Sequence, residues 1–69
     1  MTSYLVYNED GYAGTYYDYT FALQVAQEQI PARIEIVTDT YQPIELVIIS
    51  DLGIHKYRYD GKFTMPVGD

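Results

Sequence analysis

Residues 32 to 37 read Ala-Arg-Ile-Glu-Ile-Val, with Ala32, Ile34 and Ile36 set against the charged Arg33 and Glu35. That period of two is the pattern of a strand with one buried face. The same alphabet of β-branched and aromatic residues fills positions 3 to 8, and Asn8-Glu9-Asp10-Gly11 follows, where the glycine supplies the positive φ that a tight hairpin turn requires. The partner strand then runs from residue 12 to 16 or 17. From Asp18 the period changes. Tyr19, Ala22, Leu23, Ala26 and Ile30 fall on one side of a helical wheel, and Thr20, Gln24, Gln27 and Glu28 on the other. Asp18 or Thr20 can cap the first turn, and Pro31 ends the helix near Gln29 because it disfavours a helical residue before it. After the strand at 32 to 37 come a polar loop at 38 to 43, an apolar strand at 44 to 49, a turn at 50 to 53, a strand at 54 to 59, and a second Asp-Gly turn leading to a last strand at 63 to 65. The predicted order is ββαβββ in a single domain. It is an α+β fold with an antiparallel sheet of four to five strands and one helix packed on one face.

A single helix covers one sheet face only. Alternation predicts Ile34, Ile36, Ile44, Leu46 and Ile48 beneath it, and Val37, Val47 and Ile49 on the opposite side, joined by some of Tyr4, Val6, Tyr57 and Tyr59. An uncovered apolar face larger than a few hundred Å² marks an interface. Val37, Val47 and Ile49 are therefore the expected contacts of a homodimer or a partner protein; shielding by long side chains within a monomer is the alternative.

Length and charge narrow the functions. A chain of 69 residues buries roughly 60% of the surface its unfolded form exposes, leaving a thin core with little depth for a cleft. It has no cysteine, which excludes disulfides and thiolate chemistry and is compatible with a reducing compartment. No basic leader or run of ~20 apolar residues is present, so a soluble cytoplasmic protein without membrane contact is expected. Ten acids face four bases for a net charge of −6, and every side-chain charge in residues 1 to 32 is negative: Glu9, Asp10, Asp18 and Glu28. Lys56, Arg58 and Lys62 lie near the other end. A phosphate backbone is bound by lysine and arginine, so direct nucleic-acid binding is not expected, whereas a basic protein surface is attracted. Solubility alone also accounts for an acidic balance.

Catalytic constellations are missing from the sequence. His55 is the lone histidine, with Asp51 across a turn, and it lacks the further His or Cys ligands a transition metal takes. Neither Ser3 nor Ser50 sits in a Gly-x-Ser-x-Gly elbow, no glycine-rich phosphate loop occurs, and no twelve-residue calcium loop can be drawn. Neither an enzyme nor a cofactor is expected.

What stands out is the stretch DGYAGTYYDYT, residues 10 to 20, which carries Tyr12, Tyr16, Tyr17 and Tyr19 among acids, glycines and threonines. Tyrosine provides large, rigid, amphipathic contact area at low entropic cost, and small polar neighbours provide adaptable hydrogen bonds. The expected partner contacts are Glu9, Asp10, Tyr12, Tyr16, Asp18 and Asp39, an anchor-and-charge surface for a basic groove. Against this, strands favour tyrosine anyway, and Tyr16 can simply pack under the helix.

The order of a hairpin at NEDG, the YDYTFALQVAQEQ helix, the RIEIV strand and the closing YRYDGKF hairpin resembles small proteins encoded by bacteriophages and mobile elements, among them anti-CRISPR proteins. The resemblance implies a non-enzymatic inhibitor that binds a host nucleic-acid-handling complex, in some cases by occupying its basic channel. It carries over no functional residue. A structural subunit that homo-oligomerises through the uncovered face is the alternative.

Overall fold

The computed structural model describes residues 1–59 and the backbone of Met65 and Pro66. Six antiparallel strands, β1 (Ser3–Asn8), β2 (Gly11–Tyr16), β3 (Ala32–Val37), β4 (Pro43–Ser50), β5 (Gly53–Arg58) and the two-residue β6 (Met65–Pro66), form one sheet in the order β2-β1-β3-β4-β5-β6. One helix, α1 (Tyr19–Gln27), leads from β2 back across β1 to β3. The α+β architecture agrees with the sequence pattern, as does the ββαβββ order through β5, and the two-residue β6 adds a sixth strand to the four to five expected. Most of the expected last strand at 63 to 65 lies outside the described residues.

Local chemistry explains the boundaries. Two hairpins use the same device: the Asn8 side chain accepts from the Asp10 N–H at 2.8 Å and the Ser50 hydroxyl accepts from the Leu52 N–H at 3.2 Å. Each turn then closes on a glycine of positive φ, Gly11 at 117° and Gly53 at 116°, a conformation costly for a residue with a Cβ. The helix begins where Asp18, in extended conformation, accepts from the Phe21 N–H at 2.9 Å. It ends at Gln27, two residues before the position expected from Pro31. The last turn tightens, with Glu28 and Gln29 donating backbone N–H groups to Val25 and Ala26. The Gln29 side chain then bonds the Val25 carbonyl and accepts from Asn8, tying the helix end to the β1–β2 turn.

The core is Val6, Ala22, Ala26, Ala32, Ile34, Ile36, Val47 and Ile49, packed by Tyr4, Ala13, Tyr16, Tyr19, Leu23 and Val25. This corrects the expected faces of β4. Ile34 opposes Val47 and Ala32 opposes Ile49, so Val47 (0% exposed) and Ile49 (1%) lie on the helix side. Leu46 and Ile48 take the opposite face. Ile44, expected under the helix, sits exposed beside a register shift between β3 and β4. Val37 does lie away from the helix-side core, as expected, but it is only 4% exposed. Of the four residues some of which were expected to join the outer face, Val6 is fully buried beneath the helix and Tyr4 packs against the same core, whereas Tyr57 lies beside Leu46 on the open face.

Candidate functional site

The strand registers assemble the second sheet face in rows. One row runs Thr15, Leu5, Glu35, Leu46, Tyr57, and the next Tyr12, Tyr7, Arg33, Ile48, His55. No helix or second sheet packs on this face among the described residues. Leu5, Tyr7, Glu35, Leu46, Ile48 and Tyr57 are each half-buried by their neighbours in the sheet. With strands ~4.8 Å apart and a rise of ~3.3 Å per residue, five strands of about six residues span roughly 450 Å² in projection, within the range of functional surface patches.

Charge on this face is internally compensated. The Arg33 guanidinium lies 4.4 Å from the centre of the Tyr7 ring and bonds Glu35 at 3.0 Å. Tyr7 in turn meets Tyr12 edge-on, with ring centres 5.8 Å apart, and the Tyr12 hydroxyl bonds that of Thr15. A continuous chain therefore runs Thr15, Tyr12, Tyr7, Arg33, Glu35 across three strands. Arg33 serves as a bridge over an aromatic, which holds its charge against the sheet. Next to it, Tyr7, Pro31, Arg33 and Ile48 line a shallow hollow of about 260 Å³.

The expected contact residues do not form one surface. Glu9 and Asp10 occupy the β1–β2 turn, with Tyr12 next to them and 61% exposed. Asp18 and Asp39 lie at the opposite end of the strands, about 20 Å away at ~3.3 Å per residue over a six-residue strand. Both are engaged within the chain there, since Asp18 caps α1 and Asp39 pairs with the N-terminal amine at 3.5 Å. Tyr16 is on the helix side, edge-on to Phe21 at 5.1 Å. Its ring covers Gly14, where a Cβ would come within 2.9 Å of the Tyr16 hydroxyl. Tyr16 is thus a packing residue, as the alternative had it.

The acids at the turn end are not engaged in this way. Glu9, Asp10, Glu28 and Asp51 lie on the β1–β2 turn, the α1 C-terminus and the β4–β5 turn, all exposed, and none forms an ion pair among the described residues. No basic residue occupies the last turn of α1, whose carbonyls add partial negative charge. Of the described cations, Arg33 is near this end and lines one hollow with Glu9, but its ion pair is with Glu35. Lys56 extends over the Tyr19 ring, 5.5 Å from its centre, and helps line a groove with Thr2, Tyr4, Ile36, Ile44 and Glu45 where the sheet continues past the helix.

No group of three or more His, Cys, Asp or Glu side chains able to hold a metal converges among the described residues. No described helix is long and apolar enough to cross a membrane. No family model, curated protein or solved structure gives a significant match to this chain.

Proposed function

We propose that the chain is a non-enzymatic protein-binding module that engages its partner through the uncovered sheet face, with the acidic turn end favouring a basic partner. The observation that carries this reading is the face itself: Leu5, Tyr7, Tyr12, Leu46, Ile48 and Tyr57 on adjacent strands without a covering element among the described residues. Compensation of Arg33 by Glu35 supports it, since desolvating an already paired charge beside an aromatic is cheaper than desolvating an unpaired one. The form suggested by the resemblance to anti-CRISPR proteins is an inhibitor of a host nucleic-acid-handling complex, held at a basic channel by Glu9, Asp10 and their neighbours. The net charge of −6 supports that form.

Self-association through the same face is the second reading, favoured by the face's near-neutrality in an otherwise acidic chain. Its area weighs the other way. Roughly 450 Å² per copy is well short of the ~800 Å² per partner of a standard interface.

The test is affinity capture by the tagged chain from bacterial lysate at low and high salt, alongside Leu46→Lys, which places a charge at the centre of the face opposite Glu35. The wild type is expected to retain a stoichiometric partner that elutes as salt rises, and the variant to lose it while its circular dichroism is unchanged. Equal retention by a folded variant refutes the face. Sedimentation of both proteins reads the second reading directly, because a face-to-face dimer dissociates in the variant.

A further inference from the structure

The sheet face ends at β2, and among the described residues β2 has a neighbour on one side only. The hairpin fixes which backbone groups point away from β1. Asn8 and Gly11 flank a two-residue turn and form its closing hydrogen-bonded pair, and such pairs alternate along an antiparallel ladder. Tyr7 with Tyr12 and Leu5 with Thr15 are therefore pairs of the other kind. The N–H and C=O groups of Tyr12 and Thr15 point outward, along the free edge. The β4–β5 hairpin obeys the same count: Ser50 and Gly53 close its turn, and counting along β5 directs the Tyr59 N–H toward β4, where it bonds the Ile44 carbonyl at 2.9 Å.

Free edges invite pairing, and proteins blunt them with lysine, proline or a bulge. β2 has neither lysine nor proline; it has a bulge at Ala13, between the outward groups of Tyr12 and Thr15. Its charge is one-sided. Glu9 and Asp10 precede the strand, Asp18 follows it after the exposed Tyr17, and no base lies between. Antiparallel pairing of β2 with β2 of a second copy would set Asp10 of one near Asp18 of the other, and like charges facing across strands repel. The opposite margin of the sheet, where Lys56 and Arg58 lie, is partly occupied by β6 at Tyr57 and Arg58. A copy of this chain is thus a poor occupant of the β2 edge.

We propose that the outer edge of β2 accepts an extended segment of the partner protein as an additional strand, and that the segment carries lysine or arginine at both ends, six to eight residues apart, opposite Glu9–Asp10 and Asp18. The added strand continues the uncovered face, and its side chains on that side lie against Tyr12 and Thr15. This inference rests on the protein-binding reading and supplies what the face lacks in area. Main-chain hydrogen bonds to Tyr12 and Thr15 give affinity, and the flanking acids select the sequence.

The probes are two octapeptides with blocked ends, Lys-Thr-Val-Thr-Val-Thr-Val-Lys and its counterpart with glutamate at both ends, titrated into the full chain at low ionic strength. The lysine peptide is expected to bind at least about tenfold more tightly, the scale of two exposed charge pairs. At saturation, exchange of the Tyr12 and Thr15 amide protons slows at least about tenfold. Asp10→Asn with Asp18→Asn, which keeps the helix cap, removes most of the preference. Equal binding of the two peptides overturns the proposal, as does a folded chain that binds neither at millimolar concentration. Protection confined to Leu5, Leu46 and Ile48 overturns the edge but leaves the face reading standing, whereas retention of the captured partner by Leu46→Lys removes the face without bearing on β2.

Discussion

Ile48 and Ile49 are neighbours in β4 with the same side chain and opposite surroundings, which makes them a sensitive pair for deciding which face the helix covers. Ile49 is 1% exposed in the cluster with Ala22, Ala26 and Ala32; Ile48 is half-buried on the open face beside Arg33 and His55. A domain of 69 residues has a stability of about 3 to 10 kcal/mol. Ile→Ala at a buried site removes about 2 to 5 kcal/mol, which can exceed the lower end of that range, so the gentler Ile→Val is the useful change. Ile49→Val deletes one methylene from packed surroundings and is expected to cost about 1 kcal/mol. Ile48→Val deletes the same group where solvent already reaches it, at a cost of about 0.5 kcal/mol or less. With a urea m-value of ~1 kcal/mol/M for so small a domain, the midpoints should fall by about 1 M and by less than about 0.5 M. Far-ultraviolet circular dichroism is the assay, since the chain has no tryptophan. A larger shift for Ile48→Val would put the helix on the other face and return Val47 and Ile49 to the open surface.

Two further changes test the edge strand and the helix start. Gly14→Ala forces a Cβ against the Tyr16 ring at a φ of 146°, and a loss of about 2 kcal/mol in the same urea titration is expected; an unchanged midpoint would mean that Tyr16 does not lie over Gly14. Asp18→Ala removes the carboxylate that accepts from Phe21 and should cost about 1 kcal/mol, with Asp18→Asn nearly neutral; an equal loss in both would assign the effect to charge rather than to the cap.

The elements were legible because each is marked twice, once by periodicity and once by its boundary chemistry. β3 alternates from Ala32 to Ile36, and the turns at Gly11 and Gly53 have a side-chain acceptor before the glycine. β4 was not legible in the same way. Ile44, Leu46, Val47, Ile48 and Ile49 are apolar at both parities, so the pattern does not choose a face. Glu45 then pointed the wrong way, since a charge suggests the solvent side. It stands on the helix side, at the end of the sheet that α1 leaves open, beside the Lys56 and Tyr19 groove. The contact set failed for a different reason. Composition brought Asp10, Tyr12, Tyr16 and Asp18 together in sequence, but a strand separates its ends in space, and the bulge at Ala13 sets Tyr12 and Tyr16, which a regular strand would keep on one face, on opposite faces. The signal that would have removed Tyr16 is Gly14 two positions before it, a glycine and an aromatic on one face of an edge strand, where the ring covers the missing side chain.

The tyrosines of the DGYAGTYYDYT stretch divide by the direction in which β2 and α1 turn them. Tyr16 and Tyr19 close the helix against the sheet, one over Gly14 and one against Tyr4 and beneath Lys56. Tyr12 leans over Tyr7 on the open face, and Tyr17 stands exposed where the strand ends. Rigid packing on one side of β2 bears on the other side. A strand fixed by Tyr16 and Phe21 presents the outward backbone groups of Tyr12 and Thr15 in one conformation, and a partner strand then forgoes less ordering entropy on pairing. Gly14, Tyr16 and Phe21 therefore bear on affinity as well as on stability, although none of them faces the partner. A change that loosens this packing, such as Gly14→Ala, should weaken the lysine peptide in a chain that remains folded, with Asp10 and Asp18 untouched.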